Sequence, residues 1–254
     1  VTLVVVLRDA DDALVCPDLA SVAHTSPTFL SAPHRLTATA AQPFGFLHIS
    51  DFHLRGKSDW RYDAVKEDLL RDLPGLLGDA KVVPHLVFAT GDAAFSGAAA
   101  EFAMARDFLK ELMVRCRDIV PDAERVGPPS TAPDDLREWH LPRLFVVPGN
   151  HDVDRSMVSR PIQSLQREVR ALAATDHAGF RKEVGAWWDD RTFAEASEPR
   201  LRAYYDFTRD LLGDVRSTTA DPGYRADLVI VGGLRLAVLS LNSAWLCDGD
   251  EARG

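Results

Sequence analysis

Short apolar segments alternate with long amphipathic stretches between residues 44 and 147, and this alternation constrains the fold more than any other feature. The apolar segments are FGFLHIS at 44–50, HLVFAT at 85–90 and LFVV at 144–147. Their length and their β-branched and aromatic residues predict buried strands. Stretches with helical spacing occupy 61–77 and 98–118. Strands that alternate with helices predict an α/β sheet core.

Each amphipathic stretch has an apolar face at helical spacing. In the first stretch this face is predicted to contain Val65, Leu69, Leu73 and Leu76. In the second it is predicted to contain Phe102, Ala105, Leu109, Leu112 and Cys116.

The remaining segments predict the domain organisation. Residues 1–43 hold four prolines but no sustained period beyond VTLVVVL, so we predict a weakly ordered leader that begins with one short strand. The domain proper is expected at 44–254, with a proline-rich loop at 121–142. A helical insertion is predicted at about 156–215, with helices near 161–174, 178–190 and 199–213.

Two further segments carry specific predictions. We expect Trp187 and Trp188 to pack the insertion onto the core; the alternative is a lid that faces substrate. The sequence DLVIVGGLRLAVLSLN at 227–242 predicts two strands joined as a hairpin at two glycines.

Composition narrows the function classes. A formal net charge of -9 argues against a broad nucleic-acid or anionic-membrane surface. The three cysteines are far apart, which favours a reducing compartment. VTLVVVL is too short to cross a membrane. We therefore expect a soluble, cytoplasmic protein.

Each predicted strand at 44–147 is followed by residues of types that can bind metals. Asp51 and His53 follow the first strand, Asp92 follows the second, and Asn150, His151 and Asp152 follow the third. Carboxyl ends of strands in open α/β sheets form binding sites. In an extended segment Asp51 and His53 point the same way, and Asp92 has two oxygens that could bridge two ions. A mixed nitrogen and oxygen set suits Mn, Fe or Zn.

The set Asp51-x-His53, Gly91-Asp92 and Gly149-Asn150-His151-Asp152 resembles the first three motifs of the calcineurin-like metallophosphoesterase superfamily. The resemblance implies a two-sheet β-sandwich flanked by helices, in four αββα layers, and a two-metal phosphoesterase. It implies that Asp51 and His53 bind one divalent ion, that Asp92 bridges and that Asn150 binds the second. His151 is then catalytic: it contacts the phosphate and protonates the leaving oxygen, and is not a metal ligand.

Two departures from that pattern stand out. Phe95 occupies a position where many relatives carry a carboxylate or amide that orients the histidine; Asp152 could serve instead, or could cap the following helix. The later histidine motifs of the superfamily are missing, and His140 and His177 are not expected to replace them. We therefore expect a C-terminally truncated member with weak metal binding or no activity by itself, and a further C-terminal segment or domain in the parent protein.

The leading prediction is metal-dependent hydrolysis of a small phosphodiester or phosphomonoester, such as a cyclic nucleotide, by hydroxide generated at two metal ions. Gly149 is expected to allow a tight turn before Asn150. One alternative is a non-catalytic module that senses a nucleotide or docks a partner. A second alternative is an ordinary α/β domain in which the strand-end residues only form caps and turns.

Overall fold

The chain is a mixed α/β protein with seven strands and five α-helices in the part that the computed structural model describes, namely residues 3–8, 34–36, 44–57, 60–79, 83–119, 142–189, 198–212, 224–231 and 234–247. The strands are β1 (Leu3–Arg8), β2 (His34–Leu36), β3 (Phe44–Ile49), β4 (Val83–Thr90), β5 (Arg143–Val147), β6 (Tyr224–Val231) and β7 (Leu234–Leu241). The helices are α1 (Trp60–Asp79), α2 (Ala99–Ile119), α3 (Arg160–Thr175), α4 (His177–Asp189) and α5 (Arg202–Leu212). The strands and helices predicted from residue 44 onwards are confirmed, with small shifts at their ends. The predicted loop at 121–142 lies almost wholly outside the described residues.

The three strands that carry the predicted ligands form one parallel sheet in the order β3-β4-β5. Leu47 is opposite Val87 in the first pair, and Val87 is opposite Leu144 in the second. Both pairings are parallel, so the carboxyl ends of all three strands lie at the same edge of the sheet. The α/β prediction is confirmed at this level.

Strand β4 is the central strand of this sheet and is buried on both faces. Val87 and Ala89 join a large apolar cluster that includes residues of α1, α2 and α5. Leu86 and Phe88, which alternate with them, join a second apolar cluster. A near-continuous apolar sequence is what a strand covered on both sides requires.

The second sheet has the order β1-β7-β6-β2. The predicted hairpin is confirmed, because β6 and β7 pair antiparallel from Tyr224 opposite Leu241 to Val231 opposite Leu234. The first strand of the predicted leader, β1, pairs antiparallel with β7. The rest of the leader, apart from β2, lies outside the described residues, so its order stays a prediction.

Contacts between the two sheets include one apolar cluster and one ion pair. The cluster contains Leu86, Phe88 and Phe145 from the parallel sheet and Val229, Leu236 and Val238 from the other. Arg143 of β5 donates to Asp227 of β6 at 3.2 Å, and both side chains are buried. Removal of one partner from such a pair leaves a charge in the interior, which is strongly destabilising.

The predicted apolar face of α2 is confirmed, whereas that of α1 is partly wrong. All five residues predicted for the α2 face are buried. In α1, Leu73 is buried together with Leu70, but Val65 and Leu76 are 67% and 62% exposed. Helix α1 packs against α2 and β4. These contacts bury the side of the helix that carries Leu70 and Leu73, and Val65 and Leu76 lie outside that side.

Helices α3 and α4 pack against each other and enclose a small apolar cluster of their own. Trp187 is buried with Ile162 and Val169 in this cluster. Within the described part of the chain, its apolar partners in this cluster come from α3 and α4, so the expectation that Trp187 joins the insertion to the main core stays a prediction. The side chain of Trp188 lies outside the described residues.

A search of the described residues for a helix with the length and apolar character to span a bilayer found none.

Candidate functional site

The loops that leave β3 and β4 are joined by main-chain hydrogen bonds immediately beyond the sheet. The amide of Asp51 donates to the carbonyl of Gly91 at 3.2 Å, and the amide of His53 donates to the carbonyl of Asp92 at 2.8 Å. These bonds place the first predicted ligand pair directly beside the predicted bridging residue.

The pairing of the two loops continues one step further from the sheet. The amide of Leu54 donates to the carbonyl of Ala93 at 3.1 Å, and the carbonyl of Leu54 accepts from the amide of Phe95 at 3.0 Å. Leu54 is almost completely buried, so this part of the loop is anchored in the apolar core. The site is thus built on fixed backbone, as precise ligand placement requires.

The backbone is left-handed at three of the four predicted ligands. Among the described residues, the non-glycine residues with positive φ are Asp51 at 61°, His53 at 47° and Asp92 at 53°. Such conformations cost about 1–3 kcal/mol each and occur preferentially at functional sites. The expectation that Asp51 and His53 share an extended segment is therefore wrong: the local turn, rather than strand alternation, brings them together.

The loop after β5 is attached to the other two through Asp92. The carboxylate oxygen Oδ1 of Asp92 accepts from the amide of His151 at 2.9 Å. The expected tight turn is present, because the carbonyl of Gly149 accepts from the amide of Asp152 at 3.2 Å, but Gly149 itself has ordinary extended backbone with φ of −102°. Glycine is required there for close approach, because a Cβ atom at position 149 would overlap the side chain and the amide nitrogen of Asp92.

Asp152 connects the loops after β4 and β5 from beneath the site. Its carboxylate is buried and accepts from the amides of Ala94 at 2.7 Å and Gly149 at 2.8 Å. Burial raises the pKa of Asp152 to about 6, while its backbone hydrogen bonds act in the lowering direction. The alternative that Asp152 caps the following helix is wrong: its carboxylate bonds the amide of Gly149 at the start of its own 3₁₀ turn, Asn150–Asp152, and the next turn is capped by Asp154.

The histidine is oriented by main chain rather than by Asp152. Nδ1 of His151 lies 2.7 Å from the carbonyl oxygen of Phe95. A carbonyl can only accept, so Nδ1 carries the proton and the lone pair of the neutral ring is at Nε2. The suggestion that Asp152 orients His151 is therefore wrong.

Three of the predicted site residues come together as a cluster with metal-binding atoms. His53, Asp92 and His151 each offer one ligand atom, and these atoms all lie within 4.8 Å of one another. The rings of His53 and His151 meet edge to face with centroids 4.6 Å apart. Oδ1 of Asp51 lies 3.9 Å from Nε2 of His53, and the Asp51 side chain is 65% exposed.

One buried atom of this cluster fits a bound cation. Nδ1 of His53 is buried and has no hydrogen-bond partner among the described residues. A buried polar atom in that state requires an explanation such as a bound ion. The donor set of imidazole nitrogens and carboxylate oxygens suits Mn, Fe or Zn. The residues present therefore fit a divalent metal.

The remaining predicted site residues have different outcomes. Asn150 is half-buried and opens the 3₁₀ turn beside His151, and its metal-binding role stays a prediction. His151 was predicted to be catalytic and not a ligand, yet it belongs to the cluster, so that distinction also stays open to test. His177 begins α4 and lies outside the cluster, while His140 lies outside the described residues.

Sequence reasoning missed two contributors to the site. The Phe95 carbonyl holds His151, and Arg55 lies over the Phe95 ring with its Cζ 3.8 Å from the ring centroid. A main-chain acceptor has no signature in the sequence. Arg55 had one signal, its position two residues beyond His53.

The fold and this cluster define a mixed α/β protein with a candidate metal site at the carboxyl edge of a parallel sheet. No protein-family model, no curated protein and no solved structure matches the chain.

Proposed function

We propose that this chain is a metal-dependent phosphoester hydrolase domain of the calcineurin-like metallophosphoesterase class. The proposal covers two divalent ions, of Mn, Fe or Zn type, held by Asp51, His53, Asp92 and Asn150. The substrate class is a small phosphodiester or phosphomonoester. A cytoplasmic location belongs to the same proposal, and the free thiols of Cys116 and Cys247 are compatible with it.

The observation that carries the proposal is the left-handed backbone at Asp51, His53 and Asp92. The same three residues carry side chains of metal-binding types directly after β3 and β4. Caps and turns alone do not require His53 and Asp92 to place ligand atoms within 4.8 Å of each other and of His151. Local strain that is concentrated on converging ligands indicates a built site.

The two-sheet sandwich is the finer fold proposal that accompanies this function. The apolar cluster shared by β4, β5, β6 and β7 and the buried pair of Arg143 with Asp227 support it. In such a fold the helices α1 and α2 cover one face of the parallel sheet, in agreement with their contacts with β4.

The residues of the chain would divide the chemical work. Bound metal ions supply Lewis acidity and an acidified water. His151, whose Nδ1 proton is engaged by the Phe95 carbonyl, presents Nε2 for proton transfer to the leaving oxygen when the ring is protonated. Asp152 holds the loop that carries His151 in register with the loop that carries Asp92.

Metal binding provides the first test. Asp92→Asn should weaken Mn²⁺ binding by about tenfold or more, because it removes a carboxylate charge and changes one of the ligands. The matched control is Asp107→Asn on α2, where an exposed carboxylate pairs with Arg106. Isothermal titration calorimetry measures both variants. Equal Mn²⁺ affinity in Asp92→Asn and wild type would remove the basis of the proposal.

Hydrolysis of bis-p-nitrophenyl phosphate with Mn²⁺ tests the chemistry. His151→Gln should lower turnover by about a hundredfold or more, which is typical for loss of a general acid. If its Mn²⁺ affinity falls as far as that of Asp92→Asn, His151 is a ligand instead. Asp92-dependent Mn²⁺ binding without turnover would leave the metal site supported and would agree either with the expectation that the chain is inactive by itself or with a non-catalytic module.

A further inference from the structure

Arg55 emerges beside Phe95 because their neighbours are hydrogen-bonded. Leu54, directly before Arg55, exchanges main-chain bonds with Ala93 and Phe95. Two loops from different strands therefore deliver a cationic and an aromatic side chain to the same place. This place borders the cluster, since the Phe95 ring centroid lies 5.6 Å from that of His151 and 6.4 Å from that of His53.

The guanidinium of Arg55 lies over the ring of Phe95. Its Cζ lies 3.8 Å from the Phe95 ring centroid, which is cation–π distance. A long, exposed side chain normally loses much rotamer freedom when it binds a ligand. Stacking on Phe95 removes part of that freedom beforehand and leaves the planar edge of the guanidinium available for hydrogen bonds.

Arg55 forms no ion pair with another residue in the described part of the chain. Its neighbours Asp51 and Asp92 belong to the site that metal cations would neutralise. Other exposed arginines pair locally, as Arg71 does with Asp68 and Asp72. An oriented cation at the rim of a phosphate site points to an anionic ligand group.

We infer that Arg55 is a specificity-determining residue that binds a second phosphate group of the substrate, while the first phosphate occupies the cluster of His53, Asp92 and His151. This inference rests on the proposed function. The guanidinium lies 3.8 Å from the Phe95 centroid and that centroid lies 5.6 Å from the His151 centroid. These distances place the guanidinium carbon less than about 10 Å from the His151 ring, so the two phosphates would belong to one small molecule. The planar fork of arginine matches two phosphate oxygens.

The test compares two probes that differ by one phosphate. Thymidine 5′-phosphate and thymidine 3′,5′-bisphosphate are titrated by calorimetry into the chain with saturating Mn²⁺. Wild type should bind the bisphosphate about tenfold more tightly, as expected for a charge-assisted bidentate contact. Arg55→Met should lose this preference and retain its affinity for the monophosphate. Arg55→Lys should retain part of the preference.

Lys57→Met is the matched control, because Lys57 is an exposed cation two residues further along the same loop. It should leave the preference unchanged. The inference is overturned if wild type shows no preference, if Arg55→Met keeps it, or if Lys57→Met loses it. In those cases Mn²⁺-dependent binding of the monophosphate still supports the proposed function. If neither probe binds and Mn²⁺ does not bind, both the inference and the proposed function fail.

Discussion

Two aspartate carboxylates accept hydrogen bonds from main-chain amides in different regions of the molecule, and one is buried while the other is exposed. Asp152, at the strand-end site, accepts from the amides of Ala94 and Gly149 and is buried. Asp176, between α3 and α4, accepts from the amides of Ala178 and Gly179 and is exposed. Asp152 joins segments that are 58 residues apart, whereas both contacts of Asp176 are local.

The difference shows what each region requires from its polar groups. Water can replace the carboxylate of Asp176 as a hydrogen-bond acceptor. The helix pair α3–α4 therefore depends mainly on its own apolar cluster around Trp187. At the strand ends the bonded amides are buried and belong to separate loops, so no local group replaces Asp152. We therefore expect that the helix pair α3–α4 can lose stability without loss of metal binding. Loss of stability at the strand ends should weaken metal binding.

The largest expected loss of stability is in the helix pair α3–α4. Trp187→Ala should destabilise α3 and α4 by about 4 kcal/mol, because it removes the largest side chain from a small buried cluster. Hydrogen exchange of the α3 and α4 amides measures the loss, and Trp60→Ala, a tryptophan that is 74% exposed, is the control. Mn²⁺ affinity should remain within about twofold of wild type. A tenfold loss of affinity would show that the two regions are coupled.

The aspartates themselves give the next effect. Asp152→Ala should lower the free energy of unfolding by about 3 kcal/mol, because two buried amides lose their acceptor. Asp176→Ala should cost about 1 kcal/mol, the usual value for an exposed cap. Urea unfolding followed by tryptophan fluorescence measures both. Equal losses would contradict the proposed role of burial.

Two glycines give the smallest effects, with opposite signs. Gly149→Ala should destabilise by about 2 kcal/mol, since its Cβ overlaps Asp92, and should also weaken Mn²⁺ binding. Gly185→Ala, on α4, has open space around the new Cβ and should stabilise by about 0.5–1 kcal/mol. Thermal unfolding distinguishes the two. A stabilised Gly149→Ala variant would show that the approach of the loops is not tight.

Sequence patterns predicted the elements well because strands and helices here have strong local signals. The apolar face of α2 could be predicted because this helix is packed from several sides, and all five predicted residues are buried. The face of α1 could be predicted only in part, because its direction depends on contacts with α2 and β4 that are distant in sequence.

The sequence indicated the three residues of the candidate cluster, whereas it did not indicate their geometry. His53 and Asp92 stand out as ligand types after strands, and the structure brings them together with His151. The left-handed turns depend on main-chain bonds between two loops, such as that from His53 to Asp92. Those bonds involve atoms that every residue has, so no side-chain pattern encodes them.

The main chain of residue 95 orients His151 through its carbonyl, and the side chain of the same residue contacts Arg55. Every amino acid at position 95 retains that carbonyl, so substitution there leaves the imidazole proton in place. The side chain at this position is consequently released for another use. Ligand preference could therefore diversify through the side chain of residue 95 and through Arg55 above it, while the orientation of the His151 ring is retained.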